Sequence, residues 1–144
     1  MIEKNELLLQ LEEAGRSHGH ICPSLFYGVS LALKVKEWLR QGGYSPRELI
    51  LEGKSGCIRD GVQAVFGKEA ALNLRNTGKC ALTAVCSSKH TFRVDILSSV
   101  RLQVNELHRA YPLEEFQRRG VAYLKTLSED ELFEKPSAYD NGPG

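Results

Sequence analysis

Two histidines and a cysteine lie within five residues of one another near the start of the chain, where residues 18–23 read His-Gly-His-Ile-Cys-Pro. Imidazole nitrogen and thiolate sulfur are the donor atoms that zinc and similar transition metals prefer in proteins. Gly19 allows the backbone to turn sharply enough to bring both imidazoles to one side. The segment therefore predicts a metal site on His18, His20 and Cys22, with zinc expected and iron or nickel as alternatives.

The position of Cys22 before a proline adds to this prediction. Pro23 suits the first turn of a helix, which places Cys22 at or near the N-cap. There the helix dipole favours the thiolate over the thiol. The spacing matches no standard zinc-finger signature, so a fourth ligand must come from elsewhere in the chain. A simple hydrogen-bonding role remains the alternative for either histidine.

Cys57 is the expected additional metal ligand. Asp60 follows it by three residues on a predicted helix and so shares its face, where it can orient a ligand or act as an acid or base. The alternative is a buried cysteine with Asp60 capping a turn. We name Cys22, Asp60 and Lys68 as candidate catalytic residues, the last because a lysine beside a metal-bound group can stabilise an oxyanion.

The other two cysteines lie on a predicted strand. Cys80 and Cys86 fall on the same strand face but too far apart to bind one ion. We expect Cys80 in the core, and Cys86 at the strand end, where it is a weaker candidate for lining the cleft.

The periodicity of apolar residues predicts helices followed by a small sheet and further helices, which indicates an α+β fold with a small, mostly antiparallel sheet. A single domain is predicted over residues 1–135, followed by a loose tail over 136–144. The stretch 68–75 is predicted as helical from residue propensities alone. The other predicted helices cover 5–15, 23–40, 57–66, 98–110 and 113–127, and the predicted strands cover 47–52, 79–87 and 91–97.

The composition is that of a globular protein, with 42% hydrophobic and 26% charged residues. A formal net charge of +1 gives no field that would favour nucleic acid or an anionic membrane surface. The sequence contains neither a membrane-length apolar run nor the apolar core of a signal peptide. We therefore expect a cytoplasmic protein whose cysteines are reduced.

The motif around the two histidines resembles that of a known family. Residues 18–23 with Gly28 resemble the opening motif of the FmdE family of formylmethanofuran dehydrogenase proteins, His-Gly-His-x-Cys-Pro-Gly and a second Gly four residues later. Residues 57–64, Cys-Ile-Arg-Asp-Gly-Val-Gln-Ala, resemble the family's Cys-x-x-Asp-Ala-Ile-Gln. The resemblance extends over about residues 5–110. It implies an α+β core with a metal-binding cleft near these residues, a homodimer, and a molybdenum or tungsten oxidoreductase as partner.

The sequence departs from the family pattern at three positions. Ser24 stands where the family has glycine, Ser30 where it commonly has arginine, and Lys68 where it often has cysteine. No cysteine follows Cys86, so the resemblance is to the core domain without the C-terminal zinc finger of longer members.

Three functions are compatible with these patterns. The first is a metal-binding accessory protein for a molybdenum or tungsten enzyme or its cofactor. The second is a small metal-dependent enzyme in which a metal-bound water or Cys22 attacks a small substrate. The third is a dimer whose metal only stabilises the fold. The number of protein ligands distinguishes them, because structural zinc sites are closed and catalytic ones keep an open position.

Overall fold

The computed structural model describes residues 1–68, 70–86 and 90–140, with residues 139 and 140 described by their backbone alone. Within these ranges helices precede and follow a mixed sheet. The helices are α1 (Lys4–His18), α2 (Pro23–Gly42), α3 (Gly56–Phe66), α4 (Ser98–Ala110), α5 (Leu113–Lys125) and α6 (Glu129–Leu132). The strands are β1 (Pro46–Glu52), β2 (Leu72–Arg75), β3 (Ala81–Cys86), β4 (His90–Asp95) and β5 (Ser137–Asp140).

The sheet has the strand order β2-β1-β3-β4-β5. β1 and β2 are parallel, whereas the β1–β3, β3–β4 and β4–β5 pairs are antiparallel. Alternate residues of β3 are buried, as the period of a strand with one core face requires. The predicted α+β class with a mostly antiparallel sheet is confirmed.

Close contact between α2 and α3 fixes the geometry of the N-terminal half. A side chain on Gly61 would meet the carbonyl oxygen of Leu25 at 2.7 Å and the nitrogen of Val29 at 2.8 Å. A side chain on Gly28 would meet the carbonyl group of Ile58. Because two glycines face each other, the helix backbones approach more closely than side chains would permit. The start of α3 is thereby held against the start of α2.

The helix predicted over 68–75 is wrong for the part that forms β2. Leu72 aligns with Leu49 of β1 in a parallel register. Leu49 N–H donates to the carbonyl of Ala71, and Gly53 N–H donates to that of Arg75. The hydrogen bonds offered by the edge of β1 override a helical propensity that is worth only tenths of a kcal/mol per residue.

Part of the tail that was predicted to be loose, residues 136–144, forms a strand. Residues 137–140 pair antiparallel with β4, with Phe92 opposite Ala138, so this part of the tail extends the sheet. The edge of β4 offers backbone groups for pairing, which explains why a segment with weak strand signals adds there. Residues 141–144 lie outside the described part of the chain.

The first helix continues past its predicted end at residue 15. Gly15 is buried inside α1, and a side chain there would meet Ile21 of the following loop. The glycine therefore makes room for the loop to fold back rather than ending the helix. The strands predicted over 79–87 and 91–97 form β3 and β4, which pair antiparallel, while the connection at 87–89 is outside the described residues. No helix in the described ranges has the length and apolar character needed to cross a bilayer.

Candidate metal centre

The structure gathers the four side chains that the sequence predicts as metal ligands. One donor atom from each of His18, His20, Cys22 and Cys57 lies within 4.8 Å of those of the other three. His18 ends α1, His20 and Cys22 lie between α1 and α2, and Cys57 belongs to α3. The predicted convergence of imidazole and thiol groups therefore exists in the folded chain.

The donors lie at helix ends or in the loop that joins them. His18 is the last residue of α1, and Gly19 follows with a left-handed φ of 99°, which turns the chain toward α2. Cys22 is the N-cap of α2, with a proline at the first helical position, as predicted. Cys57 lies in the first turn of α3, where its backbone N–H donates to Ser55 Oγ at 3.0 Å.

Asp60 holds the imidazole of His18 in a defined orientation. His18 Nδ1 lies 2.6 Å from Asp60 Oδ2, and because an ionised carboxylate can only accept, Nδ1 carries the proton. The other ring nitrogen, Nε2, is then a lone-pair donor and lies 3.1 Å from Cys57 Sγ. A carboxylate behind a histidine is the arrangement that commonly orients metal-binding imidazoles.

The cluster lies at the protein surface with one donor residue open to solvent. Cys22 is buried, His18 and Cys57 are half-buried, and His20 is exposed. The two imidazole rings lie 4.5 Å apart between their centroids. An ion held here would be enclosed on the protein side and accessible past His20.

The pKa of the Cys22 thiol differs from the sequence-based expectation, which favoured the thiolate. Burial, with Cys57 alongside, raises the pKa of Cys22 to about 11, although the backbone N–H groups of Leu25 and Ser24 at the start of α2 oppose the rise. The helix terminus therefore does not by itself produce a thiolate, because desolvation of the sulfur is the larger effect. As a free thiol, Cys22 is a poor nucleophile near neutral pH.

The remaining catalytic candidates border a small cleft beside His18. A cavity of about 190 Å³ is lined by Asp60, Gln63 and Lys68 together with His18. Lys68 is exposed, so its ammonium group reaches solvent. The structure thus places Asp60 and Lys68 in one cleft with His18, whose Nδ1 faces the carboxylate of Asp60.

The other cysteines lie outside the cluster. Cys80 is buried, as expected, and burial raises its pKa to about 12. Cys86, a weaker candidate for the cleft, is also in the core, with its pKa raised by burial. It lies at the end of β3 opposite Pro46 and is not one of the four clustered donor residues.

The donor set fits a transition-metal ion. Two imidazoles and two thiols form one of the common four-ligand sets of zinc, and soft sulfur donors disfavour magnesium and calcium. The nearby Asp60 supplies the hydrogen bond that such histidines usually make. The residues present can therefore hold an ion such as zinc without further ligands.

Comparison with protein families agrees with this geometry. The family model FmdE, described as molybdenum formylmethanofuran dehydrogenase operon, matches residues 17–134. The chain belongs to the FmdE family. The match begins one residue before His18 and includes the whole cluster, which confirms the resemblance inferred from the motif. Comparison with curated proteins found no match.

Two polar residues of this FmdE protein received no role from the sequence. Tyr27 lies on the buried face of α2, where an aromatic residue is indistinguishable from core. Arg101 lies on the same helix face as Val104 and His108. A cation at that spacing within an apolar stripe is the sequence feature that could have marked it as a functional residue. Both residues line a second cavity beside the start of α2.

Proposed function

We propose that this FmdE protein binds one zinc-class ion through His18, His20, Cys22 and Cys57. The proposal depends on one observation, that the four donor atoms lie within 4.8 Å of one another. Thiolate and imidazole ligation would tie the ends of α1, α2 and α3 together at one point. The bound ion would also lower the pKa of both thiols, because a coordinating thiol is deprotonated.

The role we propose is that of a metal-binding accessory protein for a molybdenum or tungsten enzyme or its cofactor. Support for the partner comes from the family description, which names a molybdenum formylmethanofuran dehydrogenase operon. Support for an accessory role comes from the exposed His20, since a ligand at the surface can be exchanged for a donor from another protein. Four protein donors leave no open position for chemistry, which favours holding or transfer of the ion.

A homodimer and a cytoplasmic location complete the proposal. All four cysteines are free thiols, and a reducing compartment keeps metal-binding thiols from oxidising. Light scattering of purified protein tests the oligomeric state, and fractionation of native cells tests the location.

Metal content decides the central claim. Protein purified anaerobically without chelators should contain, or take up, one equivalent of zinc, measured by elemental mass spectrometry. His20→Ala and Cys22→Ala should each lose it. The matched controls His108→Ala, at an exposed histidine outside the cluster, and Cys86→Ala, at a buried cysteine outside it, should retain one equivalent. Unchanged stoichiometry in both cluster variants, or wild-type protein unable to take up any ion, would defeat the proposal.

Cobalt substitution tests the role of Cys57. Thiolate-to-cobalt charge-transfer absorption reports the number of sulfur ligands, so Cys22→Ser and Cys57→Ser should each weaken it. If only Cys22→Ser does so, Cys57 is a cysteine beside the site, and the fourth position belongs to another group.

A small metal-dependent enzyme is the second candidate, favoured by the cleft in which Asp60 and Lys68 adjoin His18. X-ray absorption of the zinc protein separates the two functions. Two nitrogen and two sulfur ligands support the accessory role. Three protein ligands and one oxygen support the enzyme, with Lys68 placed to bind an anionic group of the substrate. If the metal serves only to stabilise a dimer, removing it with a chelator should dissociate the protein into monomers.

A further inference from the structure

A second cavity, of about 390 Å³, adjoins the start of α2 and shares no lining residue with the cleft beside His18. Its wall includes Ser24 of α2, Lys54 and Ser55 of the loop before α3, Lys79 before β3, and Arg101 of α4. The volume is within the range of small-molecule sites. The four residues of the metal cluster, His18, His20, Cys22 and Cys57, are not part of its wall.

The charge on this wall is positive. Lys54, Lys79 and Arg101 contribute three cations, whereas no aspartate or glutamate of the described chain is among the lining residues. Of the described carboxylates, none forms an ion pair with any of these three side chains. Arg101 is half-buried, and cations removed from water are normally paired, so this arrangement calls for an anion.

Two buried polar groups on the same wall have no hydrogen-bond partner among the described residues. They are the hydroxyl of Tyr27, a residue that is only 6% exposed, and Nε of Arg101. Arg101 Nη1 donates to the carbonyl of Gly78 at 3.0 Å, which holds the guanidinium in place while its Nε has no acceptor among the described residues. Burial raises the pKa of Tyr27, as does the nearby Cys80, and Arg101 opposes that rise. Tyr27 and Arg101 both line the cavity.

An unpartnered buried donor is costly, and two on residues that line one cavity indicate a missing acceptor. A carboxylate or phosphate oxygen accepts from both an arginine N–H and a tyrosine O–H. The remaining wall includes the apolar side chains of Ile58, Val104 and Phe116, which suit the body of an organic molecule.

We propose that this cavity binds a small organic anion, whose carboxylate or phosphate group accepts hydrogen bonds from Arg101 and Tyr27. Lys54 and Lys79 add charge at the rim, where both are exposed. The inference depends on the residues of this cavity and not on the metal. Since Pro23 and Ser24 follow Cys22 directly, an anion here would lie next to the metal-binding loop.

The test uses four probes on zinc-loaded protein: inorganic phosphate, phenyl phosphate, acetate and benzoate. Isothermal titration measures affinity, and the ¹⁵N resonance of Arg101 Nε reports whether that group gains an acceptor. Tighter binding of phenyl phosphate than of benzoate identifies a phosphate ligand, and the reverse identifies a carboxylate. Either result supports the proposal if the aryl probe binds more tightly than the inorganic or methyl one and shifts the Arg101 resonance.

Two variants and a control locate the binding. Arg101→Gln should weaken binding at least about tenfold, and Tyr27→Phe by about fivefold, because each removes one donor to the anion. Tyr27→Phe should leave the free protein at least as stable as wild type, since the lost hydroxyl had no partner. The control Arg47→Gln removes an equal charge from an exposed position outside the cavity and should bind as wild type does.

Three results would contradict the proposed anion site. Absence of binding by all four probes at concentrations up to roughly 50 mM, well above the Kd of a weak specific ligand, would refute the anion site. Binding that persists unchanged in both Arg101→Gln and Tyr27→Phe would locate the anion elsewhere, such as on the metal. A Tyr27→Phe protein that is less stable when free would show that the hydroxyl has a structural partner.

Discussion

The carboxylate of Asp60 and the imidazole of His18 are joined by a hydrogen bond of 2.6 Å between Oδ2 and Nδ1. This bond connects α3 to the last residue of α1. It directs the other ring nitrogen of His18 toward the sulfur of Cys57, 3.1 Å away. One helix, α3, therefore supplies a sulfur donor and also orients a nitrogen donor that belongs to a different helix.

Removing the carboxylate of Asp60 should weaken metal binding. Asp60→Ala takes away the acceptor of His18 Nδ1–H, so the ring loses its fixed tautomer and orientation, and affinity should fall about 10–100-fold. Asp60→Asn keeps an acceptor oxygen and should have a smaller effect. Competition with a chromophoric chelator measures both. Asp130→Asn, at an exposed position, is the control, and equal affinity of Asp60→Ala and wild type would contradict the orienting role.

Chelation should lower the melting temperature. The four donors tie the ends of three helices, so an ion that binds only the folded state stabilises it, by about 2.7 kcal/mol when free metal is a hundredfold above Kd. Calorimetry with and without a strong chelator measures the shift. Cys22→Ala protein should melt at the same temperature in both conditions, and a chelator effect of equal size in that variant would argue against the cluster.

The contact between α2 and α3 should be sensitive to a single methyl group. Gly61→Ala places a carbon 2.7 Å from the carbonyl oxygen of Leu25, and the helix backbones must separate to admit it. We expect a loss of about 1–3 kcal/mol in the free energy of unfolding. Because the separation also moves Cys57 away from Cys22, zinc affinity should fall in the same variant.

Gly56→Ala provides the matched control for that substitution. It lies on the same helix, and the nearest atom to its added carbon is the flexible end of Arg59 at 3.7 Å. Stability should change by no more than about 0.5 kcal/mol, as measured by urea denaturation. A similar loss in both variants would show that the effect comes from α3 itself and not from its contact with α2.

Glu52 should make stability depend on pH in the acid range. Burial opposes ionisation, but hydrogen bonds from Thr77 and Arg93 outweigh it and hold the pKa of Glu52 below its usual value. A lowered folded-state pKa means that the stabilisation is complete above the unfolded pKa of about 4.3. It is lost as the pH falls through the folded-state pKa.

Glu52→Gln should therefore reduce the free energy of unfolding at neutral pH by about 1–3 kcal/mol. The difference from wild type should shrink as the pH falls below about 4. Denaturation series from about pH 3 to about pH 7 measure it, since they span the unfolded pKa of a glutamate. Glu13→Gln, at an exposed position on α1, should show no such trend, and a pH-independent difference for Glu52→Gln would contradict the ion pair with Arg93.

Much of the local structure could be predicted because its cause is local. Pro23 begins α2, so Cys22 had to be its N-cap, and the alternation of apolar residues in β3 and β4 predicted both strands. The segment at 72–75 could not be predicted in this way. Its residues favour a helix by small amounts of energy, and only the free edge of β1 makes the extended form more stable.

The order of residues alone keeps His18, His20 and Cys22 within five residues of one another, and the left-handed turn that redirects the chain between them is a local property of Gly19. The addition of Cys57 to this group depends instead on folding, since it requires Gly28 and Gly61 to let α2 and α3 approach. Packing likewise places Tyr27 of α2 and Arg101 of α4 on the wall of one cavity. Contacts between distant segments arise from the shapes of buried surfaces, and no spacing along the chain encodes those shapes directly.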